Sequence, residues 1–139
     1  MASRPDPDEL RLVLQKVARR IRSNRAGDGV SDAQLSVLFL LDRSGESTPG
    51  RIAEAEHVTP PSINRTLGTL EEAGWIERRP DPGDARRVLV RLSAQGGEVV
   101  RETRRLRTAW FTRQLDALTP DERRALDTVI PVLRKLAES

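Results

Sequence analysis

Apolar residues recur at helical spacing through most of this chain, and each run begins with a side chain suited to capping. Leu10, Val13, Leu14, Val17, Ala18 and Ile21 share one face of a first helix, with Asp8 as its cap and an end near Asn24. Arg25 to Val30, with two glycines, is the connecting loop. Ser31 and Gln34 have the spacing of a capping box, and the second helix they open carries Leu35, Leu38, Phe39 and Leu41 as core candidates before Gly45 ends it. Thr48 and Pro49 start a shorter third helix with Ile52, Ala53 and Ala55 inward. A turn at His57 to Thr59 leads into a fourth. There the Thr59 hydroxyl can accept from the first free N–H groups, and Pro60 sits where a missing N–H costs nothing. Ile63, Leu67 and Leu70 form its apolar stripe, Pro61, Asn64, Arg65 and Gly68 project from the other side, and Gly74 stops it.

The period then changes. Trp75 to Arg79 alternates apolar and charged residues, and Val88 to Leu92 is rich in β-formers, so both are predicted as strands. PDPGDAR between them reads as a turn, which makes a β-hairpin with a long tip. Arg78, Arg79, Arg86, Arg87 and Arg91 crowd this hairpin against Glu77, Asp81 and Asp84. Helical spacing returns at Ser93 in a long helix reaching about Leu118, with Val99, Val100, Thr103, Leu106, Trp110 and Leu115 as its less polar side. Thr119, Pro120 and Glu122 open a last helix carrying Leu126, Val129, Ile130 and Leu133, and Pro131 inside it predicts a kink near Asp127. The expected fold is mainly α with a small β-hairpin wing: a winged helix-turn-helix between terminal helices.

That order is built to sit on a DNA duplex. Short side chains on the outer face of the fourth helix let it approach base edges in the major groove, and Arg65 can reach a guanine or a phosphate. A mid-helix glycine costs about 1 kcal/mol relative to alanine, so Gly68 marks either close approach to DNA or tight packing. An arginine on a protruding loop can enter a narrow minor groove. Asp84, two residues before Arg86, either holds the guanidinium fork in place or caps the turn through backbone N–H groups, and the two roles are compatible. Taken alone, the fourth helix also fits an amphipathic helix whose outer face is merely solvated.

Composition narrows the alternatives. The 139 residues suit one domain, and with 3% aromatic residues aliphatic helix packing must supply most of the burial. The formal charge is only +3, yet 22 of the 24 basic residues are arginine, which favours bidentate phosphate and guanine contacts. A GC-rich genome enriches arginine too, so charge placement is the stronger evidence. There is no cysteine, which rules out disulfides, cysteine-ligated metals and thiol-based sensing. The single histidine, His57, sits past a helix end in a capping position, and no carboxylate spacing suggests a metal or other cofactor. With no Cys/His pair, phosphate-cradling glycine loop or metal motif, no enzyme is expected. The longest apolar run, Val37 to Leu41, is too short for a membrane span, and the amino terminus lacks an apolar export segment, so the expected location is the cytoplasm.

The stretch SINRTLGTLEEAGWIERRPDPGDARRVLVRLSAQG, Ser62 to Gly96, resembles the MarR family of transcriptional regulators. Arg65, Leu70, Glu71, Gly74, Asp84, Arg86, Leu92, Ser93 and Gly96 occupy the positions of that family's recognition helix, wing and following helix, and the flanking elements fit the same plan. Where the family usually has an apolar residue and a glycine, this chain has Glu56 and His57.

The resemblance implies that residues 31–92 form the winged helix-turn-helix and that 1–30 and 93–139 supply dimerisation helices. A homodimer would present two recognition helices about 34 to 36 Å apart and read a pseudo-palindrome in double-stranded DNA. The alternative is an intramolecular bundle burying the same faces. In the implied mechanism, repression by occupancy, Arg65 with Ser62 and Asn64, beside Pro61, reads or clamps the major groove. Arg86 with Asp84 places the wing in the minor groove, and Thr59, Thr66 and Arg87 meet phosphates. Family members commonly release DNA on binding a small aromatic or phenolic effector in a cleft. Phe39, Trp110 and Phe111 are either its lining here or plain core. A winged helix used for protein binding, or a regulator of another winged-helix family, is the competing function.

Overall fold

The computed structural model describes residues 2–27 and 29–139, so Asp28 of the predicted first loop lies outside the described residues. Along the chain run α1 (Pro7–Arg22), α2 (Asp32–Ser44), α3 (Pro49–Glu56), α4 (Pro60–Glu72), β1 (Ile76–Asp81), β2 (Asp84–Leu92), α5 (Ala94–Asp116) and α6 (Pro120–Ala137). The helix starts follow the capping chemistry. Ser31 with Gln34 and Thr119 with Glu122 form reciprocal capping boxes, while Thr48, Thr59 and Ser93 each accept from an N–H of the first turn. α1 differs from expectation. Its cap is Asp6, which accepts from the Asp8 N–H at 3.0 Å, because Pro7 takes the first helical position and leaves Asp8 inside the first turn. α1 ends at Arg22 and α5 at Asp116, each two residues short of the predicted end. α6 continues through Pro131 to Ala137.

The core lies where α2 meets α3, α4, α5 and β2. Leu35, Val37, Leu38 and Leu41 of α2 pack with Ile52, Ala53, Ile63, Leu67, Leu70, Ile76, Val90 and Val100. Burying each large aliphatic side chain stabilises the fold by about 1.5–3 kcal/mol. Because α2 is enclosed on several sides, its buried stripe is wider than one helical face. Val37, absent from the predicted core, is buried, whereas Phe39 is half-buried and Ala55 of α3 is exposed. Val100 and Thr103 put the first half of α5 in the same packed unit, and the Thr103 hydroxyl accepts from the Ala26 N–H at 3.0 Å. α1 and α6 contain no buried residue.

Two backbone features fix the path into and out of α4. His57 closes α3 in the left-handed region, φ 56° and ψ 42°, a conformation that costs a non-glycine residue about 1–2 kcal/mol. The turn is nevertheless closed, since Val58 N–H donates to the Ala53 carbonyl at 3.0 Å. Glu56 accepts from the Ser36 hydroxyl at 2.8 and 3.0 Å, tying α3 to α2. After α4, Gly74 adopts φ 81°, and the Ser93 hydroxyl donates to its carbonyl at 2.5 Å. Gly96 then passes directly beneath Trp75, where a β-carbon would lie 1.9 Å from the Trp75 carbonyl oxygen. Gly74, Ser93 and Gly96 are thus one structural joint, at which the wing returns to the core.

Candidate nucleic-acid interface

α4 presents its polar face to solvent because Ile63, Leu67 and Leu70 are drawn into the core from the opposite side. Pro61, Asn64 and Arg65 are exposed, and Ser62, Thr66 and Gly68 are half-buried beside them. At the helix start the Thr59 hydroxyl oxygen accepts from the Ser62 N–H at 3.3 Å, which leaves its proton available to an outside acceptor. Thr66 is oriented differently: its hydroxyl donates back to the Ser62 carbonyl at 3.2 Å. No Cβ contact explains Gly68, since nothing lies within 4 Å of the position a Cβ would take. Packing within this chain, one of the two alternatives the sequence left open, is therefore not its role.

The hairpin is not the long-tipped loop expected. β1 extends to Asp81, β2 begins at Asp84, and only Pro82 and Gly83 connect them, with Gly83 N–H donating to the Asp81 carboxylate at 2.8 Å. Pro80 is accommodated inside β1 because a two-stranded ribbon leaves each strand with an edge where no N–H is needed. The register runs from Ile76↔Leu92 to Pro80↔Val88 and then jumps to Asp81↔Asp84. Ala85, Arg86 and Arg87 are consequently left without a partner opposite, a bulge that turns them out of the ribbon near its tip. Ser47 adds a bridge to the base of the wing, its N–H donating to the Val90 carbonyl at 2.9 Å and its carbonyl accepting at 2.7 Å.

The arginine cluster separates into two groups. Those of the stalk face carboxylates: Arg79 donates twice to Glu46, at 2.8 and 3.0 Å, Arg91 donates to Glu77 at 3.0 Å, and Arg78 lies 3.7 Å from Glu71. The Arg79 hydrogen bonds hold the Glu46 carboxyl below the usual carboxylate range. At the tip, Asp84 accepts from both the backbone N–H and the side-chain Nε of Arg86, at 3.1 and 3.3 Å, so both roles foreseen for that carboxylate are realised. These bonds, the backbone one foremost, lower the Asp84 pKa. Arg86 itself stays 92% exposed, tethered at its base and open at its end. Arg87 and Arg65 have no carboxylate partner among the described residues.

The three aromatic candidates do not converge. Phe39 lines a cavity of about 190 Å³ with Arg22, Asp32, Ser36, Arg43 and Arg107, and the Arg107 guanidinium lies 5.2 Å from its ring centre. Burial pushes the Arg107 pKa down. Trp110 and Phe111 instead contact each other edge to face at 5.0 Å and are not part of that cavity. Sequence reasoning missed the Glu46–Arg79 pair and the Ser47 bridge. Their partners lie far apart along the chain and carry no local signal. No helix among the described residues is long and apolar enough to cross a membrane, and no cluster of three or more metal-capable side chains occurs there.

A helix-turn-helix whose second helix runs into a β-hairpin anchored at its base defines the winged helix-turn-helix class. The sequence model of the MarR family matches residues 30–88. An uncharacterised HTH-type transcriptional regulator of Mycobacterium leprae is 36% identical over 130 residues, 94% of this chain and 91% of its own length. This chain belongs to the MarR family of transcriptional regulators. In structure it is similar to a mutant MarR of Escherichia coli, with a TM-score of 0.78 and 26% identity over 99% of each chain. It is also similar to that mutant complexed with operator DNA, with a TM-score of 0.67 and 27% identity, covering 93% of this chain and 91% of the other.

Proposed function

We propose that this regulator acts as a homodimeric repressor in the cytoplasm, occupying a pseudo-palindromic operator with one α4 per subunit in the major groove and one wing in the minor groove. The observation that carries this reading is the distribution of positive charge. Stalk arginines are neutralised by Glu46, Glu77 and Glu71, while Arg65 on α4 and Arg86 and Arg87 in the wing bulge extend outward. Those are the two places where a duplex would meet the fold. Arg65, with Ser62, Asn64 and Pro61, takes the major-groove role. Arg86, oriented by Asp84, takes the minor-groove role, and Thr59 and Arg87 face phosphates. Thr66 joins them only by giving up its bond to Ser62.

Residues 1–30 and 93–139 serve as the dimerisation part, and 31–92 as the winged helix-turn-helix. Support comes from the apolar faces of α1 and α6, where Leu12, Val13, Ile130, Val132 and Leu136 are each about half exposed. A helix draws most of its stability from burying such a face, and a second subunit can cover both. An effector of anionic aromatic character suits the Phe39 cavity, with Arg43 and Arg107 for a carboxylate or phenolate and the ring for stacking, while Arg22 is paired at 3.8 Å with Asp32 of the same lining. Binding there would release DNA only by favouring a spacing of the α4 helices that the operator does not accept.

Fluorescence anisotropy with genomic fragments across a salt series tests the core of this reading. Affinity should fall steeply and linearly on a log–log plot, with a slope near −0.9 per phosphate neutralised. Affinity independent of salt, or no duplex binding, would favour a winged helix that binds protein instead.

A further inference from the structure

We infer that Gly68 is a positioning residue for sequence reading: its missing side chain lets α4 seat deeply enough for Asn64 and Arg65 to reach base edges. The inference rests on the DNA-binding role proposed above. Gly68 stands well inside the 13-residue α4, where glycine is unfavourable relative to alanine because it pays more backbone entropy.

Five other glycines have visible reasons, whereas Gly50 would, like Gly68, meet open space but is the second residue of α3, in its first turn and not its interior. Gly27, Gly29, Gly45 and Gly74 occupy positive φ, and Gly96 lies against the Trp75 carbonyl oxygen. Gly68 has neither reason, because its φ is helical and a β-carbon there would meet open space. Nothing inside the molecule compensates for the glycine. On the proposed interface, what gains from it is a duplex approaching along the face the residue occupies.

That face is defined by spacing. Pro61, Asn64, Arg65 and Gly68 stand at i, i+3, i+4 and i+7, one stripe down the solvent side of α4. The flanking threonines leave the stripe low, since Thr66 and Thr69 both turn their hydroxyls back to carbonyls of their own helix, at 3.2 Å each. A methyl group at Gly68 would hold the helix away from the groove by roughly its own thickness. Contacts to phosphates, carried by long side chains, tolerate such a shift, whereas hydrogen bonds to base edges do not.

The test is Gly68→Ala in the full chain, with thermal unfolding and anisotropy on two duplexes: the best-bound fragment selected from the source genome and a scrambled duplex of equal length. Tm should rise by about 2–6 °C, since alanine is the better helix former and clashes with nothing. Affinity for the selected fragment should fall about tenfold or more, while affinity for the scrambled duplex stays within about twofold. A fall in Tm would assign the glycine an internal role and overturn the inference. So would equal losses on both duplexes, or a selected-fragment affinity within about twofold of wild type. If wild type itself binds no duplex, the DNA-binding reading fails and this inference goes with it. If wild type binds and the variant matches it, only this inference fails.

Discussion

One carboxylate oxygen of Asp84 holds Arg86 twice, through its backbone N–H and its Nε, while the end of the guanidinium remains in solvent. The tether shortens the list of rotamers the arginine must give up on docking. Arg86→Ala should therefore weaken binding to all duplexes and not only to the operator. Asp84→Ala keeps the Arg86 cation and releases its side chain, but also removes a negative charge from the tip, so any loss should be smaller than that of Arg86→Ala. Gel-shift affinity unchanged by Arg86→Ala would remove the wing from the interface.

Arg65 is exposed on α4 with no internal carboxylate partner among the described residues. If it reads a base, Arg65→Ala should cost about 1–3 kcal/mol on the operator and much less on random DNA. Equal losses on the two would make it a phosphate contact. The comparison needs only competition titrations at a single salt concentration.

Dimerisation can be tested on α1 and α6. Leu14 and Ile130 are 37% and 49% exposed in a single chain, so a charge at either perturbs the isolated fold little. In a dimer that buries them, Leu14→Asp or Ile130→Asp should cost roughly 3 kcal/mol or more, because each change occurs twice. Analytical ultracentrifugation should show wild type at twice the 15.5 kDa chain mass and the variants shifted toward one chain. A monomeric wild type at micromolar concentration would sink the dimer.

Acid should loosen the base of the wing. The folded pKa of Glu46 is depressed by its hydrogen bonds to Arg79, so its contribution is fully present above the unfolded carboxylate value. That contribution declines as pH falls through the window between the unfolded and folded values, and is gone below the folded one. Glu46→Gln should be less stable than wild type at neutral pH, with the gap closing in acid. Urea unfolding at a series of pH values gives the comparison, and a gap that does not change with pH would show that the pair is not the cause.

Much of this molecule was legible along the chain. Ser31 with Gln34, Thr59 with Pro60, and Thr119 with Glu122 announce their helices because capping is a local bond between residues about one turn apart. The stripe of Ile63, Leu67 and Leu70 named the buried side of α4, and so by subtraction its outer face, because helical period alone sorts the two. The Asp84–Arg86 contact was also readable, its members being only two positions apart.

Tertiary structure alone decided the rest. Pro80 and Asp81 look like turn residues, yet they pair across the ribbon because Ser47 bridges to the buried Val90 and fixes the core end of the hairpin, and the strands then run on past them. The jump in register that turns out Arg86 and Arg87 depends on how two strands align, which neither strand encodes by itself. Which arginines are neutralised was equally hidden. Glu46 is 33 residues from Arg79, and only the folded backbone brings so distant a pair together. Local order follows from bonds between near neighbours, whereas charge at a surface depends on which carboxylates the whole fold places beside it.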